Sequence, residues 1–79
     1  MDIRNLSGYE PFRGDEGLLW GIKTVRYPDT LGAGMYLFVC ENGEQRELEA
    51  DDPEAAHKLP DEQRRHLLRL AMRIFPAQP

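Results

Sequence analysis

The sequence predicts an α+β fold in which a three-stranded antiparallel meander is backed by a C-terminal helix. Three observations support this prediction: an Asn-Gly pair between two strand-like runs, a third strand-like run before them, and helical spacing of apolar residues near the C-terminus. The chain has 79 residues, which is enough for one small domain, residues 1–79, and no more.

The strands are predicted from their residue types and from the turn signals between them. Residues 18–27 and 35–41 are rich in apolar, β-branched and aromatic residues, and residues 44–50 alternate between polar and apolar. Asn42-Gly43 is a preferred pair for a two-residue hairpin turn, because both turn positions need positive φ. We therefore expect a hairpin centred on this pair.

The pairing across this hairpin decides which side chains enter the core. If Glu41 pairs with Glu44, one face is strongly apolar and is expected to be the core face. That face holds Met35, Leu37, Val39, Leu48 and Ala50. The opposite face holds Tyr36, Phe38 and Cys40 beside Gln45, Glu47 and Glu49. Either residues 1–17 cover this second face, or it meets another chain.

Two helices are predicted in the C-terminal third. Asp52 followed by a proline indicates the start of a short helix at 53–59. Asp61 is then expected to cap a longer helix at 62–75, which Pro76 ends. The apolar residues of this helix span an arc of about 200°, roughly twice the stripe that a surface helix needs. They are Leu67, Leu68, Leu70, Ala71, Met72, Ile74 and Phe75.

Charge and cysteine content limit the class of protein. The net charge is −4, and the single Cys40 excludes an internal disulfide. Residues 41–54 carry seven acids and one arginine, whereas the segment after Glu62 carries four arginines and no acid. No apolar run exceeds six residues, so we do not expect the chain to enter a membrane. Residues 1–5 lack the layout of a secretion signal, so we expect a cytoplasmic protein. The composition and residues 67–73 resemble those of bacterial or phage proteins.

No motif indicates catalysis or a bound cofactor. The candidates for nucleophile, base or metal ligand are Ser7, Cys40, His57 and His66, and none lies in a recognisable signature. We expect no enzyme, no cofactor and no metal site. Direct nucleic-acid binding is not expected either, because the sequence pI is about 5.0 and no recognition motif accompanies the arginines.

Our first functional hypothesis is a non-catalytic protein-binding module, an acidic inhibitor or adaptor that occupies a basic surface of a partner. The acids Glu44, Glu47 and Glu49 are the predicted charged contacts, because they follow one another along the hairpin. Tyr36 and Phe38, predicted to point away from the core, are the apolar anchors between them.

Two other surfaces remain open as hypotheses. An accessory domain that self-associates would bury part of the wide apolar arc, which places Leu70 or Met72 near the contact of a homodimer. The stripe formed by Arg65, Arg69 and Arg73 on the opposite side of the predicted helix is the alternative binding surface.

Overall fold

The computed structural model describes residues 2–78 and contains a five-stranded antiparallel sheet with the strand order β1-β2-β3-β4-β5. The elements are β1 Glu10–Arg13, β2 Leu19–Arg26, β3 Ala33–Cys40, β4 Gln45–Asp51, α1 Asp61–Leu70 and β5 Met72–Phe75, with 3₁₀ turns at Ile3–Asn5 and Ala56–Lys58. The α+β class is confirmed. The predicted number of strands is wrong, because a short strand lies on each side of the predicted meander.

The hairpin between β3 and β4 forms where the Asn-Gly pair predicts it, but with a longer loop. The N–H of Cys40 donates to the carbonyl of Glu44 at 2.8 Å, and the N–H of Gly43 donates to the carbonyl of Cys40 at 2.9 Å. Gly43 has a φ of +92°, while Asn42 is not among the residues with positive φ. A three-residue loop that ends on a left-handed glycine explains this pattern.

The longer loop shifts the register by one residue, so the side chains of β3 exchange faces relative to those of β4. Tyr36 lies opposite Leu48, and Phe38 lies opposite Arg46. Tyr36 and Phe38 are 5% and 1% exposed and belong to the main core, so the prediction that they point away from the core is wrong. Of the predicted core residues, Met35, Leu37 and Val39 lie on the other face, whereas Leu48 and Ala50 pack against the main core as predicted.

The main core fills the space between the sheet and α1. Its buried members are Phe12, Trp20, Ile22, Tyr36, Phe38, Cys40, Ala56, Leu59 and Leu68. The rings of Phe12 and Phe38 meet edge to face with centroids 6.5 Å apart. The hydroxyl of Tyr36 accepts a hydrogen bond from the backbone N–H of Glu54 at 2.9 Å, which ties the loop after β4 to this core.

The N-terminal segment covers one end of the sheet face that holds Leu19 and Val39, and not the face of Tyr36 and Phe38 for which such cover was predicted. The second apolar cluster consists of Ile3, Leu19 and Val39, with Leu6 and Tyr9 packed against it. Gly21 allows this close approach, because a Cβ there would lie 2.9 Å from Cγ2 of Ile3. Toward the other end of this face, Met35 and Leu37 stay only half-buried.

The C-terminal segment differs most from the prediction. The helix ends at Leu70 instead of continuing to residue 75, and Met72–Phe75 forms β5 against β4. The over-wide apolar arc thereby divides between two elements. Leu68 of α1 is buried in the core, whereas all four residues of β5 are exposed.

The predicted helix starts are also corrected. The segment 53–59 contains only the 3₁₀ turn Ala56–Lys58. Asp52 does not cap a helix, since its φ is +46° and its carboxylate pairs with Arg26. Asp61 is the first residue of α1, and the N-cap residue is Pro60, which makes no side-chain capping bond.

Candidate protein-binding surface

The largest exposed apolar side chains near a sheet edge belong to β5 and to the end of α1. The exposed fractions are 59% for Leu70, 73% for Met72, 42% for Ile74 and 55% for Phe75. β5 is the last strand of the sheet, and no strand among residues 2–78 pairs with its outer side. A bulge in β5 keeps Met72 and Phe75 on the same face. We call this set of four residues the β5 edge.

The opposite edge of the sheet is blocked. Its strand β1 contains Pro11, which has no N–H to offer a neighbouring strand. The carbonyl of Pro11 accepts a hydrogen bond from Nη1 of Arg64 at 3.1 Å. The carbonyl of Arg13 accepts one from Nη1 of Arg65 at 3.2 Å. Two arginines of α1 therefore occupy backbone acceptors that another chain would need for pairing.

β5 leaves part of β4 uncovered, because their pairing extends only as far as Glu47. Alternate residues of an antiparallel strand direct their backbone groups to the same neighbour. Since the N–H of Cys40 donates to the carbonyl of Glu44, the even-numbered residues of β4 bond to β3. The N–H and C=O groups of Glu49 and Asp51 therefore point away from β3, toward the uncovered edge.

A groove of about 440 Å³ runs along this uncovered part of β4. It is lined by Glu47, Leu48, Glu49, Leu70 and Met72. Strand alternation places the side chains of Glu47, Glu49 and Asp51 on one face of β4. None of these three carboxylates forms an ion pair with another residue in the 2–78 range. The groove thus combines apolar walls with unpaired negative charge.

Glu44 does not belong to this exposed acidic surface. It is only 6% exposed, and its carboxylate accepts hydrogen bonds from Nε of Arg46 and, at 3.2 Å, from Nε of Arg73. Burial opposes ionisation of Glu44, but the two arginines outweigh it and hold the pKa of the carboxyl below its ordinary value. Its role as an exposed contact is therefore excluded by its burial.

The predicted arginine stripe is not a free basic surface. Arg69 forms two hydrogen bonds with the carboxylate of Asp15, at 2.7 and 2.6 Å, and these lower the pKa of that carboxyl. Arg65 contacts Glu62 at 3.3 Å in addition to the carbonyl on β1. Arg73 lies in β5 and not on α1, so the three arginines do not share one helix.

A polar cleft of about 210 Å³ lies beside these arginines. Its charged lining residues are Arg46, Arg69 and Arg73 with Asp15, Glu16 and Glu44. The equal number of acids and bases leaves no excess positive charge to hold an anion. Trp20 forms part of the lining, and the guanidinium of Arg46 lies 5.0 Å from its ring centroid.

The residues considered as nucleophile, base or metal ligand do not lie together in one site. Cys40 is fully buried, and burial raises the pKa of its thiol, which opposes reactivity. His57 and His66 are exposed on separate elements. Residues 2–78 contain no group of three histidine, cysteine, aspartate or glutamate side chains placed to hold a metal. Over the same residues, no helix has the length and apolar character needed to cross a membrane.

Comparison with protein-family models, with curated proteins and with solved structures finds no match. The sequence identified Leu70, Met72, Glu47 and Glu49 as candidate contacts, and all four line the same groove. It missed Phe75 and Asp51, although the over-wide apolar arc was a signal that the C-terminal residues do not all face one core.

Proposed function

We propose that this chain is a non-catalytic protein-binding module, an acidic adaptor or inhibitor, that contacts its partner through the β5 edge and the acids of β4 beside it. The observation that supports the proposal is the contrast between the two edges of the sheet. One edge is closed by Pro11 and two arginines, whereas the other presents an unpaired strand with large exposed apolar side chains.

This contrast supports binding because open, apolar sheet edges favour pairing with other chains. Soluble domains usually protect such edges with charge, proline or a covering element. The chain protects β1 in this way and leaves β5 unprotected. An apolar patch bordered by polar residues is the usual composition of a protein-binding surface. Glu47 and Glu49 supply that border on the β4 side.

The proposal is tested by changing the β5 edge without disturbing the core. Met72→Glu with Phe75→Glu places two charges on one exposed face of β5. The matched control is Leu31→Glu, because Leu31 is fully exposed in the loop between β2 and β3. Affinity capture from the source cell, with mass spectrometry, is run on the wild type and both variants.

We expect the control to retain the partner of the wild type and the double variant to lose it, while both melt within a few degrees of the wild type. Retention of the partner by the double variant would refute the proposed surface. The capture is repeated at higher salt, because a partner held beside unpaired acids dissociates more readily as ionic strength rises.

Self-association through the same edge is the second candidate. A two-fold antiparallel pairing of β5 with its copy can place Met72 opposite Phe75, and Arg73 opposite Ile74, so that no two arginines face each other. Sedimentation over a wide range of protein concentration tests this candidate. A dimer that Leu31→Glu preserves and the double variant abolishes would support it, and a 9.1 kDa species at every concentration would refute it.

A further inference from the structure

We propose that the uncovered part of β4 accepts an extended basic segment of the partner as an added strand, with lysine or arginine at alternate positions. This inference rests on the proposed function and names the chemistry of the partner. It is supported by the open backbone groups at Glu49 and Asp51, the apolar groove beside them, and the unpaired carboxylates on the same strand.

The open backbone groups set the mode of binding. An added strand opposite Glu49 and Asp51 can exchange N–H···O=C bonds with both residues, because neither residue uses its backbone groups for β3. The opening lies next to the start of β5, where Met72 pairs with Glu47. The added segment would therefore pair with β4 on the same edge as β5, beyond the point where β5 begins.

The side chains of β4 set the sequence pattern of the added segment. Residues opposite Glu49 and Asp51 share their face, where a positive side chain forms a favourable cross-strand pair. Residues opposite Leu48 and Ala50 share the other face, where both side chains pack against the core. Leu48 and Leu70 both line the groove. Met72 pairs with Glu47 and therefore lies on the face of the acids. The complementary segment alternates basic and apolar residues.

A second copy of this chain fits the uncovered part of β4 less well. Its own exposed edge strand, β5, offers one arginine, Arg73, in four residues. The net charge of −4 per chain opposes the approach of a copy to the acids of β4. The charge of the site therefore favours a partner of opposite sign.

The probe is the peptide acetyl-Val-Lys-Val-Lys-Val-amide, titrated into the ¹⁵N-labelled chain. Two control peptides separate the contributions to binding. Val-Glu-Val-Glu-Val reverses the charge, and the lysine peptide with N-methylated lysine amides keeps the charge but cannot donate the backbone hydrogen bonds. Binding is measured by chemical-shift changes and by exchange of amide hydrogens.

We expect saturating lysine peptide to slow hydrogen exchange at Glu49 and Asp51 at least tenfold. The amides of Leu48 and Ala50 are internal controls, because they are directed to β3 and are protected with or without the peptide. The glutamate peptide should not bind, and N-methylation should weaken binding about tenfold or more.

Two variants of one residue separate charge from backbone pairing. Glu49→Gln removes one carboxylate and should weaken the lysine peptide about two- to fivefold. Glu49→Pro also removes the outward N–H, while the hydrogen bonds between β3 and β4 remain, and should weaken the peptide by about a further tenfold. If Glu49→Pro fails to fold, the N-methylated peptide supplies the same comparison on the wild type.

Four results would overturn the inference. They are unchanged exchange at Glu49 and Asp51 with saturating peptide, equal binding of the glutamate peptide, equal binding of the N-methylated peptide, and protection of both amides by dimerisation of the free chain. The proposed function fails separately, when Met72→Glu with Phe75→Glu retains the captured partner. Loss of the partner in that variant together with no peptide binding would refute only the added strand.

Discussion

The truncation Phe38→Ala tests the register on which the functional argument depends. Phe38 is 1% exposed, lies between Ile22 on β2 and Arg46 on β4, and packs edge to face against Phe12. Removal of a buried phenylalanine ring costs about 3–5 kcal/mol, because contacts are lost and a cavity remains. A domain of this length has a free energy of unfolding of about 4–12 kcal/mol. The variant should therefore lose a large fraction of its stability.

The assay is urea unfolding followed by circular dichroism, with Leu37→Ala as the matched control. Leu37 is the neighbouring residue on the same strand, but it lies half-buried on the sheet face opposite the main core. We expect this control to lose about 1 kcal/mol and Phe38→Ala to lose at least twice as much, with a melting temperature lower by about 12 °C or more. A larger loss in Leu37→Ala than in Phe38→Ala would refute the observed register.

Two further predictions concern the hairpin. Gly43→Val should lower the free energy of unfolding by about 1–3 kcal/mol. The reason is that φ is +92° at this position and that an added Cβ would lie 2.5 Å from Cγ of Gln78. A change under about 0.5 kcal/mol in urea unfolding would contradict this prediction. The pKa of Glu44 is lowered on folding, so its stabilisation is complete above the ordinary value of 4.5 and is lost as pH falls through the lower folded value. Glu44→Gln should therefore flatten the acid limb of the stability profile, and an unchanged limb would contradict this role.

The hairpin shows how far local sequence patterns reach. The Asn-Gly pair located the turn correctly, since few residues other than glycine tolerate the conformation of Gly43. It did not distinguish a two-residue loop from a three-residue loop, because both place glycine at a left-handed position. This difference of one residue in loop length decides whether Phe38 or Leu37 enters the core. The pairing of β2 with β3, which places Ile22 beside Phe38, fixes the choice only in the folded chain.

The C-terminal segment shows how tertiary pairing overrides local preference. Residues 71–75 continue the apolar spacing of α1 and contain no helix-breaking residue before Pro76, so the sequence favours a longer helix. In the fold, Met72 and Phe75 instead pair with β4, and the edge strand satisfies backbone groups that a helix end would leave open. No local pattern in the sequence indicates this long-range pairing.

The candidate site follows from the sequence pattern together with the pairing of strands in the fold. Glu47, Glu49 and Met72 were identified from the sequence, because acids in succession and an over-wide apolar arc are visible there. The open edge that joins them was not, since it depends on where β5 stops along β4. The prediction of Phe38 as an anchor was wrong for the same reason that the register was wrong.

The use of arginine within the fold explains why the negative charge beside the β5 edge is not neutralised by the chain itself. Seven of the ten basic residues form ion pairs within residues 2–78. Arg64 and Arg65 also block β1, and Arg46 and Arg73 neutralise the buried Glu44. The arginines that the sequence predicted as an alternative binding surface therefore form their contacts within the fold. The carboxylates beside the β5 edge remain unpaired, so the open edge presents negative charge. Under the proposed function, positive charge on the partner both speeds its association and favours its pairing at this edge.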